Sequence, residues 1–400
     1  MTAISRNRLC LAAFAVVLLV CCFLLLSRRH GGSRHLVAGL FNRRWLSSAN
    51  VDTDPDDLDW PPRPPPDLMQ GGSALVLVHI QKTGGSSLNR QFVRAGVRGL
   101  PCRCRRGRKR CLCLNSADTD WLFSRGSVGW RCGLHASLAA LQACVPNWHR
   151  FRPGVRLHYM TVLRRPVDRF FSEWRHVRRG ATWEAARRFC DGKPMDPQPE
   201  LCYRGDDWHG VGLAEFAGCA TNPAINRQSR MLANLTGREC LGGKEMLAGA
   251  LANLRRMIFV GLTEYQVLNQ YQLTRGLGLL FNRLFWQHDE TVASQLNTSR
   301  ADLAIAESAT SLDARLYAAA ERLFFHRTRR LLIGDAIAAR ADPGLAAAIA
   351  GLDTAGLRAV APRMAAAAGV VLRRLGARGV SAAERRRVRQ KVKRKLIQSQ

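Results

Sequence analysis

Three runs of the chain are apolar and short enough to be buried strands: Ala74 to Ile80, Leu157 to Leu163 and Met257 to Leu262. Between them the apolar positions take helical spacing. Behind Pro166, which suits a first helical turn, Val167, Phe170, Phe171, Trp174 and Val177 recur every three or four residues. Strands alternating with helices over residues 74–330 predict one α/β domain, a central parallel sheet flanked by helices, because the connections are long enough for crossovers. A different pattern precedes it. Residues 9–26, LCLAAFAVVLLVCCFLLL, are uninterrupted apolar residues, close to the roughly 20 that span a bilayer as a helix. They predict a retained signal anchor behind a short N-terminal tail, residues 1–8. Residues 27–73, with the run Pro61-Pro62-Arg63-Pro64-Pro65-Pro66, predict an extended stem. From 331 to 400 the chain becomes rich in Ala and Arg and ends in ERRRVRQKVKRKL, which predicts a basic extension, a solvated helix or a tail that meets a polyanion.

Charge narrows the partner. With 61 Lys+Arg against 30 Asp+Glu, a net charge of +31, the field of the protein favours nucleic acid, acidic lipid or sulfated polysaccharide. Of the 13 cysteines three lie in the apolar segment, and the remaining ten, between Cys102 and Cys240, suit disulfides in an oxidising compartment. The sequons at Asn234 and Asn297 agree with a secretory lumen. Arginines flank the apolar segment on both sides (Arg6 and Arg8; Arg28, Arg29 and Arg34), so charge leaves its orientation open. CRCRRGRKRCLC, residues 102–113, carries six basic residues among two C-x-C pairs. Such pairs suit zinc thiolates or disulfides, and the lumenal setting favours disulfides.

Two junctions carry anion-binding chemistry. HIQKTGGSS, residues 79–87, runs from the first strand into a helix. Gly84 and Gly85 let backbone amides approach a phosphate, Ser86 and Ser87 add hydroxyls, and Lys82 adds a point charge. Its lysine precedes the glycines, so it is not the triphosphate loop G-x-x-x-x-G-K-[ST]. In LRRPVDRFFSEWRH, residues 163–176, Arg164 at the strand end and Ser172 on the polar helix face suit a second phosphate.

HIQKTGGSS resembles the 5′-phosphosulfate loop of sulfotransferases that use 3′-phosphoadenosine 5′-phosphosulfate (PAPS), and LRRPVDRFFSEWRH resembles their 3′-phosphate motif. With WLFSRGSVGWRCGLH, EWRHVRRGATW, NRQSRMLANL and FVGLTEYQ, the chain resembles the heparan sulfate 6-O-sulfotransferases over residues 74–330. That resemblance implies a type II Golgi membrane protein, its residues 1–8 cytoplasmic, with a P-loop-like α/β catalytic domain. It also implies PAPS as co-substrate, no metal, heparan sulfate rather than nucleic acid as partner, and sulfuryl transfer to the 6-hydroxyl of glucosamine. Residue by residue it implies Lys82, Thr83, Gly84, Gly85, Ser86 and Ser87 at the 5′-phosphosulfate, Arg164 and Ser172 at the 3′-phosphate, and His135 as general base. Trp130, Arg131 and the Trp121 to Arg125 run are expected along the acceptor groove, with Arg227 and Arg230 as further acceptor or nucleotide contacts. The chain departs from the family pattern at Arg165, where Asp is usual, and at Asp168, where a small hydroxyl residue is common. A sulfotransferase of other regiochemistry, 2-O or chondroitin-type, and an inactive heparin-binding membrane protein are the rival readings.

Overall fold

The computed structural model describes Trp60, residues 65–379 apart from 109, 134, 183–188, 191–192, 235–242 and 287–297, and the single residues Arg386 and Gln390. The apolar run at 9–26, most of the stem, Asn297 and most of the closing basic run lie outside the described residues. Among the described residues no helix is long and apolar enough to cross a membrane.

The strands among them are β1 (Ser73–Val78), β2 (Arg103–Cys104), β3 (Cys111–Leu112), β4 (Leu122–Phe123), β5 (Arg156–Leu163), β6 (Phe189–Cys190), β7 (Lys193–Pro194) and β8 (Phe259–Leu262). The central sheet has the order β4-β1-β5-β8 and is parallel throughout, while β2–β3 and β6–β7 are small antiparallel pairs. Each expected strand is present within two or so residues of its apolar run. β1 and β5 pair from Ser73↔Arg156 to Val78↔Thr161, and the Thr161 hydroxyl donates to the Val78 carbonyl at 3.0 Å.

All six residues of β1 are buried, as a central parallel strand with both faces covered must be. Alternation then divides them: Leu75 and Leu77 face one core, with Phe92, Trp121, Phe259 and Phe281, whereas Val76 and Val78 face the other. The helices covering these faces are α1 (Gly85–Arg90), α2 (Leu138–Cys144), α3 (Pro166–Val177), α4 (Leu213–Gly218), α5 (Arg227–Leu232), α6 (Lys244–Arg256), α7 (Gln266–Leu277), α8 (Arg300–Ala309), α9 (Ser311–Ile333), α10 (Ala336–Ala341), α11 (Leu345–Ala350), α12 (Thr354–Ala359) and α13 (Ala361–Arg374). A third cluster joins Phe170, Phe171 and Val177 of α3 to Leu213 and Phe216 of α4 and to Ala306 and Ala309 of α8.

Two expected boundaries move. Residue 331 falls inside α9, and residues 332–377 are not a solvated extension. Leu332, Leu345, Ile349, Met364, Val371 and Leu372 belong to the same core as Val76 and Val78. The signal was hidden because alanine supplies much of this buried surface, and Ala-rich runs carry little apolar contrast. The stem is also shorter than its composition suggests. Trp60 is buried, its indole N–H donating to the Ile258 carbonyl at 2.8 Å, with the Arg327 guanidinium 4.9 Å from the ring centroid. A β-carbon on Gly276 would come within 2.6 Å of that ring, so α7 carries glycine where Trp60 lies on it.

Candidate active site

β1 and β5 are neighbours, and the chain leaves β1 toward β4 on one side and reaches β8 on the other. The carboxyl ends of β1 and β5 therefore border the crevice where open α/β sheets bind ligands. Between Val78 and α1 the backbone turns through two left-handed residues, Lys82 (φ 66°) and Gly84 (φ 80°). Glycine adopts this freely; a lysine held there is strained, which is typical of functional loops. Thr83 is fully buried, and its hydroxyl donates to the Ile80 carbonyl at 3.1 Å. Thr83 thus pins the loop and turns its side chain away from any ligand. Thr263, just past β8, donates to the carbonyls of Thr83 and Leu163 and so ties three strand ends together. Ser86 is exposed at the head of α1, whereas the Ser87 amide turns back to the Gly84 carbonyl at 2.8 Å. Gly85 has no room for a side chain, because a β-carbon there would come within 2.7 Å of the His79 ring.

At the end of β5 Arg164 lies largely buried with its guanidinium 3.3 Å from the Lys82 carbonyl, which joins the two expected phosphate junctions directly. Burial pulls its pKa down, and the Asp168 and Glu264 carboxylates push back. Its main chain is gripped at both ends by one side chain. The Arg164 N–H donates to Gln228 Oε1 at 2.9 Å, and Gln228 Nε2 donates to the Arg164 carbonyl at 3.0 Å. The departures from the family pattern answer each other: Arg165, with no capping hydrogen bond, pairs with Asp168 at 3.1 Å. An acid displaced from the N-cap position into the first turn still complements the helix dipole. Ser172 is half-buried on α3.

The residue after it, Glu173, is fully buried and paired with Arg169 and Arg227. Burial alone would raise its carboxyl, but the two guanidinium groups outweigh that and hold it below the usual range. Arg227, expected at a substrate, is therefore spent inside the protein, with only 4% of its side chain exposed. Arg230, one turn further along α5, has no acid paired with it.

His135 also has left-handed backbone (φ 52°). Its ring centroid lies 5.4 Å from that of His79, edge to face, and 4.8 Å from that of Trp130, with a hydrogen bond to the His79 backbone. Burial, then the His79 and Arg227 charges, pull its pKa down to about 3; His79 is held at about 4, first by burial and then by Arg125. The half-exposed Trp130 ring carries the Arg125 guanidinium 4.5 Å from its centroid. Beside it opens a cavity of about 690 Å³, lined by Ser86 of the loop, Trp130, Arg131 and Arg125, and by Arg90, Arg94 and Arg110. Trp121, expected with this group, is instead fully buried and bonds the Pro101 carbonyl.

Arg110 arrives on the CRCRRGRKRCLC segment, whose four cysteines form the disulfides Cys102–Cys113 and Cys104–Cys111 rather than a zinc site. Cys132–Cys144 and Cys202–Cys219 are also joined, and Cys190 is disulfide-bonded. Sequence reasoning missed Arg90, Arg94 and Arg110 as cavity residues, and Gln228, Glu173 and Thr263 as supports. Helical spacing from Ser86 carries Arg90 and Arg94 toward one face and was a usable signal; Gln228, 64 residues from its partner, left none. The Asn234 side chain is exposed and bonds Gln142 at 2.9 Å.

The sulfotransferase family pattern matches residues 68–278 of this chain. Over 310 residues the chain is 41% identical to heparan-sulfate 6-O-sulfotransferase 1 of Homo sapiens, covering 68% of this chain and 75% of that protein. It is 41% identical over 276 residues to heparan-sulfate 6-O-sulfotransferase 2 of Gallus gallus, 65% of this chain and 68% of that one. Heparan-sulfate 6-O-sulfotransferase 2 of Homo sapiens is 42% identical over 277 residues, 65% of this chain but 46% of its own length, so the chain spans just under half of that relative.

Proposed function

The chain belongs to the sulfotransferase family, in its heparan-sulfate 6-O-sulfotransferase branch, and from that premise we propose that it transfers a sulfuryl group from PAPS to the 6-hydroxyl of glucosamine in heparan sulfate. The observation that carries this reading is the meeting, at His135 and Trp130, of an arginine-lined cavity with the Lys82 loop. The cavity suits a polyanionic sugar chain, since guanidinium groups pair with sulfates and carboxylates and an aromatic face packs on a sugar ring. The position of transfer comes from the relatives.

The donor set fits PAPS: Lys82 and Arg164 are joined across one crevice, with Ser86 and Ser172 offering hydroxyls at two strand-to-helix junctions. When bound, PAPS supplies the sulfuryl group for an in-line transfer and a bisphosphate leaving group. Lys82, with the amides of Gly84 and Gly85, holds charge at the 5′-phosphate. Arg164 and Ser172 hold the 3′-phosphate and select against ordinary adenine nucleotides. His135, neutral because it is buried beside cationic neighbours, accepts the proton of the 6-hydroxyl, and its bond to the His79 backbone fixes the ring's orientation. Arg125, Arg131 and Trp130 seat the acceptor, with Arg90, Arg94 and Arg110 extending the same wall. A Golgi lumenal setting belongs to this reading and agrees with the disulfides.

The test is direct: incubate the detergent-solubilised chain with radiolabelled PAPS and N-sulfated heparosan, digest, and separate the disaccharides. Label on C6 of glucosamine is expected, label elsewhere overturns the regiochemistry, and no label on any glycan leaves a binding protein. In His135→Ala transfer falls by at least about a hundredfold while adenosine 3′,5′-bisphosphate binding persists. Wild-type turnover in that variant removes His135 from the role of base.

A further inference from the structure

The two departures from the family pattern, Arg165 and Asp168, fall at the N-cap and in the first turn of α3. Their consequence is electrostatic. Asp168, Ser172 and Arg175 follow at intervals of four and three residues, so they share one face of the helix, the face that carries the hydroxyl expected at the 3′-phosphate. Asp168 pairs with Arg165 Nε at 3.1 Å, and its charge also acts on Arg164 and Arg175. One carboxylate thus bears on three guanidinium groups.

The neighbouring acid behaves differently. Glu264 accepts the Arg165 N–H at 2.9 Å on Oε1 and the Tyr317 hydroxyl at 2.9 Å on Oε2, so it belongs to the framework that fixes the start of α3. Asp168, with its side chain 46% exposed, is held only through the 66% exposed Arg165 among the described residues. Exposed pairs of this kind hold weakly. Arg164 and Ser172 are half-buried and Arg165 is exposed, so an anion reaches this junction from solvent without displacing the core. A carboxylate and a phosphate make the same charge-assisted bonds to a guanidinium group, and two anions at one site repel each other.

Resting on the function proposed above, we infer that Asp168 is a specificity-determining residue of the 3′-phosphate subsite: an internal anion that competes with the 3′-phosphate for Arg164 and loosens the hold on the nucleotide. The spent donor, adenosine 3′,5′-bisphosphate, keeps that phosphate. A loosened subsite releases it sooner and makes the protein resist inhibition by its own product.

The full chain tests this with Asp168→Asn and Asp168→Glu, read by calorimetric affinity for adenosine 3′,5′-bisphosphate and for adenosine 5′-phosphate, and by bisphosphate inhibition of label transfer from PAPS. Asp168→Asn should bind the bisphosphate about fivefold tighter or more, with adenosine 5′-phosphate affinity held within about twofold, and should be inhibited at correspondingly lower bisphosphate. Asp168→Glu keeps the charge on the same face and should stay near wild type for both nucleotides. Because Asp168 is half-exposed, the variants should melt near wild type, and Asp168→Ser offers the same comparison if the amide disturbs the first turn. Unchanged or weakened bisphosphate affinity in the neutral variants overturns the assignment. Equal gains for both nucleotides also overturn it, since the acid would then act on the general field and not on the 3′-phosphate. Tightening in Asp168→Glu assigns the effect to shape and overturns it likewise. Wild-type protein that binds neither nucleotide refutes the underlying function instead.

Discussion

If His135 takes the proton of a sugar hydroxyl, as proposed, it has to be neutral when the sugar arrives, and burial and cationic neighbours secure that. The cost appears in stability. His79 and His135 fall from an ordinary value of 6.5 to about 4 and about 3. In the unfolded chain both take up protons as pH drops through 6.5, whereas in the fold they stay neutral until far lower pH. The unfolded state therefore binds more protons below 6.5, and stability that is fully present above that pH is lost as pH falls toward 4 and then 3. Each unbalanced proton gives a slope of about 1.4 kcal/mol per pH unit. The thermal midpoint of the ligand-free protein should decline steadily from pH 6.5 to pH 4, and His79→Gln, which cannot titrate, should flatten that decline. An equally steep profile in the variant would mean that His79 already titrates normally in the fold. Lys82 was singled out by its loop, and His135 only by the resemblance to a known family. Their left-handed backbone was not legible, since only a few per cent of residues other than glycine adopt it.

At the scale of elements, the sheet was readable wherever a strand is a long apolar run. β4 escaped because only two residues, Leu122 and Phe123, take part. α3 was readable from its Phe and Trp stripe, but the same pattern led to a polar opposite face, and the fold instead encloses Arg169 and Glu173 completely. Charges enter a core when partners from distant segments close around them, and no local spacing reports that. The same reasoning gives Gln228 its importance. Its amide grips Arg164 from both sides, so Gln228→Met leaves the Arg164 N–H and carbonyl unpaired, a cost of about 1–3 kcal/mol for each buried group. If that grip aims Arg164 at a 3′-phosphate, Gln228→Met should lose preference for adenosine 3′,5′-bisphosphate over adenosine 5′-phosphate by roughly tenfold, with 5′-phosphate binding almost unchanged. Competition binding with the two nucleotides decides it. Parallel losses for both would reduce Gln228 to a general support.

At the scale of the whole molecule, the surplus of 31 positive charges is not spread evenly in its consequences. Some of it lines the cavity, whereas arginines matched by acids, Arg275 with Asp335, Arg358 with Glu321 and Arg363 with Asp342, add nothing to it. The C-terminal helices looked like an appendage in sequence, but Met364, Val371 and Leu372 complete the core that lies behind Val76 and Val78, and α13 packs on α7. The strand that carries the Lys82 loop is thus supported by residues nearly 300 positions later in the chain. Ending the chain after Arg330 removes that wall and exposes buried faces of α7 and α9, so the product should aggregate or show no cooperative melting. Ending it after Gly379 keeps every one of those contacts. That shorter chain should melt close to wild type and bind adenosine 3′,5′-bisphosphate equally well, losing only the salt-sensitive polysaccharide affinity contributed by the closing run ERRRVRQKVKRKL. Differential scanning fluorimetry with heparin titrations at two salt concentrations separates the cases. A folded, nucleotide-binding chain ending at Arg330 would show that the core closes without α10 to α13.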